Sequence, residues 1–213
     1  EGGFNITIDA TAPNITAIGP SNATFTSNQT INFTANISDT GTGLANATLW
    51  IFNATGDLYN STVVQIIGSP LTATVGVVVY MLEGVYTWFW EVYDVVSNFI
   101  TSQNATTGVG GNYTLTVDTT YPIFSDYWDN NSTLIGEGIA GFNVTIENTN
   151  GTVFLEINNT NYTATNITTN VYNVSVPLTS NGTYSYYWGA FGSNSNHNYN
   201  SSGARDYTVN DGV

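Results

Sequence analysis

The chain has 213 residues, of which 41% are hydrophobic and 14% aromatic, enough for one large or two small domains with packed cores. Only 8% are charged, the formal net charge is -14, and Arg205 is the sole Lys or Arg. That balance excludes nucleic acid and anionic membrane surfaces as partners, which need Lys and Arg; the lack of Lys excludes Lys–Asn cross-links, and the lack of Cys excludes disulfides, thiolate metal sites and thiol nucleophiles.

Residues 1–11 open the chain with a polar start, Glu1-Gly2-Gly3, rather than an apolar leader, so the sequence reads as a mature form. A strand follows in which Phe4, Ile6 and Ile8 fall on one face and Asn5, Thr7 and Asp9 on the other. Next comes a run of strands with one wet face, for example Asn32-Phe33-Thr34-Ala35-Asn36-Ile37. The most apolar stretch, Val75 to Val96, is broken by Glu83, Gly84, Glu91 and Asp94. Its β-branched and aromatic content predicts a strand hairpin rather than a membrane span. Gly110 to Asp118 closes the segment as a last strand.

The pattern then repeats. Thr7-Ile8-Asp9-Ala10-Thr11-Ala12-Pro13 aligns with Thr116-Val117-Asp118-Thr119-Thr120-Tyr121-Pro122. Gly84-Val85-Tyr86-Thr87-Trp88-Phe89-Trp90 aligns with Gly182-Thr183-Tyr184-Ser185-Tyr186-Tyr187-Trp188. The alternating Phe142-Asn143-Val144-Thr145-Ile146 again predicts a half-buried strand. The expected fold is all-β: two tandem immunoglobulin-like β-sandwich domains, 12–118 and 119–213, behind an N-terminal donor-type strand, 1–11. Tyr86 and Tyr184 fit the tyrosine corner of such sandwiches, and Trp88 and Tyr186 take the place of the F-strand cysteine. With Trp90 and Trp188 these six aromatics are the predicted structural core.

Asn-x-Ser/Thr acceptors for N-glycosylation occur at Asn5, Asn14, Asn22, Asn28, Asn32, Asn36, Asn46, Asn53, Asn60, Asn104 and Asn112. They continue at Asn130, Asn131, Asn143, Asn150, Asn158, Asn161, Asn166, Asn173, Asn181 and Asn200. Random pairing of this composition gives roughly seven such triplets, a third of what is present. Glycans would supply the hydration that charges usually supply, and they place the protein outside the cytoplasm, at the cell surface.

The Pro13-Asn14-Ile15-Thr16 segment, the alternating run from Thr30 to Asp39, and Gly43-Leu44-Ala45-Asn46-Ala47-Thr48-Leu49-Trp50-Ile51 together resemble the Ig-like repeats of archaeal N-glycosylated surface proteins. The second domain keeps the pattern at Gly151 to Ile157 but loses the motif. Two modules with dense sequons are similar in particular to the subunits of extracellular thread-type filaments. That resemblance implies subunits linked by donor-strand complementation.

Gly2 to Asp9 is similar to Gly110 to Asp118, so Phe4, Ile6 and Ile8 look like the last strand of a module not contained in this sequence. Three placements stay open: insertion into a neighbouring copy, return to the sheet of the first module, or a frayed tail. Inserted, the three side chains would contribute roughly 5–8 kcal/mol before entropy costs.

No catalytic constellation stands out. His197 sits in a polar loop without a nucleophile elbow, and Glu83, Glu91, Glu137, Glu147 and Glu156 are scattered. No catalytic residue and no metal ligand is assigned, and no cofactor is expected beyond covalent glycans. Calcium stays open as the alternative at Asp9, Asp118, Asp39 and Asp94, although no Asp-x-Asp-x-Asp-Gly loop is present. The expected function is a non-enzymatic filament subunit whose partners are other copies of itself, joined head to tail, with no nucleic acid and no membrane insertion. The alternative is an adhesin or coat module that grips other cells or surfaces, for which Tyr127-Trp128-Asp129 is the candidate patch.

Overall fold

The computed structural model describes residues 8–103, 112–131, 133–193 and 197–210, with Ala17 described by its backbone only. Phe4, Ile6, Asn5 and Asn104 lie outside these. The chain divides into two compact units, residues 1–118 and 119–213.

Module 1 is built from β1 (Asn14–Gly19), β2 (Thr24–Thr26), β3 (Thr30–Ser38), β4 (Leu44–Asn53), β5 (Leu58–Gln65), β6 (Thr72–Tyr80), β7 (Gly84–Asp94), β8 (Phe99–Thr101) and β9 (Tyr113–Val117). One sheet runs β1-β3-β6; the other runs β2-β9-β7-β4-β5 with β8 on β7. Module 2 comprises β10 (Ile123–Asp129), β11 (Gly138–Glu147), β12 (Thr149–Ile157), β13 (Thr160–Thr163), β14 (Thr165–Thr168), β15 (Val171–Leu178), β16 (Gly182–Gly192), β17 (Asn200–Ser201) and β18 (Arg205–Val209). Its sheets run β10-β11-β15-β14 and β13-β12-β16, with β17 and β18 both on β16. Each is a β-sandwich of immunoglobulin-like type, and the described residues contain no helix.

The period-2 alternation explains the two faces. In β3, Ile31, Phe33, Ala35 and Ile37 are buried while Asn32 and Asn36 are exposed. In β11, Ala140, Phe142, Val144 and Ile146 are buried and Asn143 lies on the opposite face. Each module has its own hydrophobic cluster, centred on Trp88 and Trp90 in the first and on Tyr186 and Trp188 in the second.

The expected hairpin over Val75 to Val96 is corrected. The segment does form two strands, β6 and β7, but they belong to different sheets and do not pair. A hairpin would lay both apolar faces on one sheet. Instead Met81, fully buried, carries the chain across the edge of the sandwich, so that Val75 and Val79 face Tyr86, Trp88 and Trp90 from the opposite layer.

The corner at this crossover is closed by Tyr86, whose Oη donates to the Leu82 carbonyl at 3.0 Å. Tyr184 repeats the bond to Ser180 at 2.8 Å. Tyr86 is buried and Tyr184 half-buried at the margin of its core. A net hydrogen bond contributes about 0.5–1.5 kcal/mol. Tyr86→Phe should therefore lower the melting temperature of module 1 by a few degrees with the fold kept, as read by calorimetry.

Aromatic pairs span the sheets where a disulfide would stand. Phe33 of β3 meets Trp88 of β7 edge to face at 5.0 Å, and Phe142 of β11 meets Tyr186 of β16 at 4.8 Å. Tyr186 also donates to Asp129 at 2.7 Å. Burial, reinforced by the Asp129 carboxylate, pushes the Tyr186 phenol far above its usual range, so it stays neutral.

Candidate functional site

The loop between β3 and β4, Asp39-Thr40-Gly41-Thr42-Gly43, wraps two carboxylates with alternate amides. Gly41 and Gly43 N–H donate to Asp39 Oδ2 at 3.1 and 2.7 Å. Thr42 N–H and Oγ1 donate to Asp9 Oδ2 at 2.6 and 2.9 Å. The loop needs its glycines: a Cβ on Gly41 would sit 1.9 Å from Asp9 Oδ2, and Gly43 has φ +91 with the Ser69 carbonyl where a Cβ would go.

Asp94, at the end of β7, completes the group. Its Oδ1 accepts from the Val96 and Asn98 amides, and its Oδ2 from Asn98 Nδ2 at 2.7 Å. Asn98 Nδ2 also donates to the Asp9 carbonyl at 3.1 Å. One carboxylate oxygen from each of Asp9, Asp39 and Asp94 lies within 4.8 Å of the others. Asp39 and Asp94 are buried, and Asp39 Oδ1 has no hydrogen-bond partner. The Thr11 amide, followed by Thr42, holds the Asp9 carboxyl below the ordinary aspartate range. Of the four aspartates singled out in the sequence, three therefore meet. Asp118 occupies the Asp9 position of the repeat and is buried, with its N–H donating to Thr26.

Every sequon asparagine among the described residues is exposed or half-buried, and none lies in a core. Several have a structural part as well, Asn22 and Asn131 among them. Asn22 Oδ1 accepts from the Thr114 amide at 2.8 Å, and Asn131 Oδ1 does the same for Thr208. Both bonds use the oxygen and leave the Nδ2 acceptor atom clear. Asn143 and Asn173 are paired directly across β11 and β15, with Nδ2 of Asn173 on Asn143 Oδ1 at 2.6 Å.

Ile8 is 87% exposed. It precedes the Asp9 anchor and lies outside every strand.

The candidate adhesive patch does not present three free groups. Trp128 is 54% exposed, but Tyr127 lies beneath the Arg205 guanidinium, 4.0 Å from the ring centroid, and Asp129 accepts from Tyr186. A larger aromatic surface, missed in the sequence, occupies the outer face of β4 and β7. Phe89 stacks on Phe52 and on Trp50 at 6.1 and 6.5 Å, and Tyr93 stacks on Phe99 at 5.4 Å. Its signal was the wrong phase: aromatics at the outward positions of strands whose inward positions were already apolar.

The His197 carbonyl accepts from Gly192, and Glu156 accepts from Tyr187, which pushes that phenol up to about 12. No helix among the described residues is long and apolar enough to cross a membrane.

No family model and no curated protein sequence matches the chain. Solved structures of similar layout include fibronectin(III)-like modules of Clostridium thermocellum CbhA, at TM-score 0.44 and 13% identity over 93% of this chain and 95% of that one. The FN1–FN3 domains of chicken CNTN1 align at TM-score 0.42 and 12% identity, over 93% of this chain and 66% of that one. A tetra-tandem repeat from the extending region of a large adhesion protein aligns at TM-score 0.37 and 15% identity, over 94% of this chain and 49% of that one.

Proposed function

We propose that this chain is a structural subunit of a glycosylated filament at the cell surface, joined head to tail through its N-terminal strand. One observation carries the reading. Among the described residues, module 1 takes its first strand, β1, and its last, β9, from residues after Pro13, and Ile8 stands 87% exposed beside the anchored Asp9. A strand with one apolar face and a fixed exit is suited to augment the sheet of a neighbour. Repetition of such a head-to-tail contact gives an open filament rather than a closed ring.

The favoured receiving edge is the last strand of module 2. In module 1 that edge is covered by β2, which pairs with β9 over Thr24 to Thr26. In module 2 the equivalent cover is the isolated bridge between Ile135 and Asn210. The accessible sequons support a glycan coat that replaces surface charge in keeping the filament hydrated. Electron microscopy of the protein purified from its own cells, glycans intact, tests the proposal. Uniform filaments with density for Phe4 to Ile8 in a neighbouring subunit are expected; dispersed particles at high concentration would overturn it.

A second reading, a surface-binding module, draws on the aromatic outer face of module 1, bordered by the Asn46 sequon. Attachment lost in Phe89→Ala while filaments persist would place binding there.

A further inference from the structure

From the geometry of Asp9, Asp39 and Asp94 we infer that module 1 holds a calcium ion at the end of the sandwich where β3, β4 and β7 meet the chain entering β1. The inference goes beyond the filament reading and does not depend on it.

Three carboxylates share a space within 4.8 Å. No side chain of residues 1–118 can neutralise them, because that segment contains no Lys, Arg or His. Asp39 is only 5% exposed and Asp94 2%. The buried Asp39 Oδ1 lacks any donor, whereas its Oδ2 is filled by two amides. A buried carboxylate oxygen with no donor is rare in native proteins, because its desolvation is left uncompensated. A cation is the missing partner that would compensate all three groups at once.

The donor chemistry selects the ion. Only hard oxygens are present, which suits calcium or magnesium and not the softer transition metals. The donors come from the N-terminal approach, the β3–β4 loop and the end of β7, segments far apart in sequence. Such irregular loop-built sites suit calcium, which takes six to eight oxygens in flexible geometry; magnesium demands a near-ideal octahedron.

Module 2 provides an internal control. Following the repeat, the counterparts of Asp9, Asp39 and Asp94 are Asp118, Asn148 and Gly192, so one carboxylate remains. One bond of the surrounding frame recurs: Asn98 Nδ2 reaches the Thr11 carbonyl, and Asn198 Nδ2 reaches the matching Thr120 carbonyl. The acidic set is confined to module 1.

The test is titration calorimetry of the full glycosylated chain, stripped with EDTA and then given CaCl2 to about 10 mM, because calcium sites of extracellular modules reach dissociation constants of about 1 mM. A single class of site is expected. Scanning calorimetry should show calcium raising the module 1 transition and leaving the module 2 transition in place. Asp39→Asn should abolish binding. Should that variant not fold, Asp9→Asn at the margin of the cluster, with near-UV circular dichroism as the folding check, should weaken binding at least tenfold. No calcium-dependent heat from the wild-type chain, or an equal shift of both transitions, would overturn the site. An equal response to MgCl2 would overturn its assignment to calcium.

Discussion

Removal of residues 1–8 should abolish head-to-tail assembly and leave both modules folded. On the proposed joint, Phe4, Ile6 and Ile8 bury their apolar face in a neighbour. At about 25 cal/mol per Å² that burial contributes roughly 5–8 kcal/mol before ordering costs. Each 1.4 kcal/mol is tenfold in affinity, so even half of that contribution corresponds to roughly a hundredfold or more in the association constant. Folding is spared because β1 and β9 supply the first and last strands of module 1 from later in the chain. Retaining Asp9 matters: its carboxylate ties the chain to Thr42, and its carbonyl accepts from Asn98. A point change, Ile8→Asp, should act in the same direction by placing a charge in an apolar groove. Light scattering and electron microscopy read the outcome, with circular dichroism confirming the sandwiches. Filaments of undiminished length from the truncated chain would exclude the strand as the joint.

The parts legible in the sequence were those governed by local rules. Alternation in β3 and β11 separates core from wet face because the side-chain period of a strand is two. The repeat located Tyr86 with Tyr184 and Trp90 with Trp188, since both copies carry the same Gly-x-Tyr start to the strand. What escaped depended on which sheet each strand joins. The β6 to β7 connection looks like a hairpin locally, and only the pairing of β6 with β3 and of β7 with β4 separates the strands. The carboxylate cluster is of the same kind. Asp9, Asp39 and Asp94 share no local motif, and their meeting follows from register: Asn14 pairs with Ser38, and Leu44 pairs with Asp94. Those two pairings bring the ends of β3 and β7 beside the chain entering β1. The outward aromatics Trp50, Phe52 and Phe89 escaped for another reason. Their outward positions mix aromatics with Asn46, Thr87 and Glu91, so period-2 reasoning found no uniformly polar phase to assign to solvent.

Trp88→Ala should unfold or nearly unfold module 1 while module 2 keeps its own transition. Trp88 is fully buried, with Phe33 at 5.0 Å and Tyr113 at 5.1 Å around it. Truncating a buried Trp to Ala costs about 3–5 kcal/mol, and a domain of this size has roughly 5–15 kcal/mol in total. At about 4–8 °C per kcal/mol the melting temperature should fall by tens of degrees. Trp88→Phe separates packing from polarity. The Trp88 Nε1 is buried without a hydrogen-bond partner, so the native indole already carries an unsatisfied donor. Phenylalanine removes that donor and keeps an aromatic face toward Phe33. The cost of the smaller ring is then partly offset, and the loss should be well under half that of the alanine variant. The second module draws on a separate cluster centred on Tyr186 and Trp188. Its calorimetric transition should therefore stay where it is in both variants. Transitions that move together would mean that the two cores unfold as one cooperative unit. An alanine variant no less stable than the phenylalanine one, both lacking the indole N–H, would mean that aromatic packing across the two sheets contributes nothing at this position.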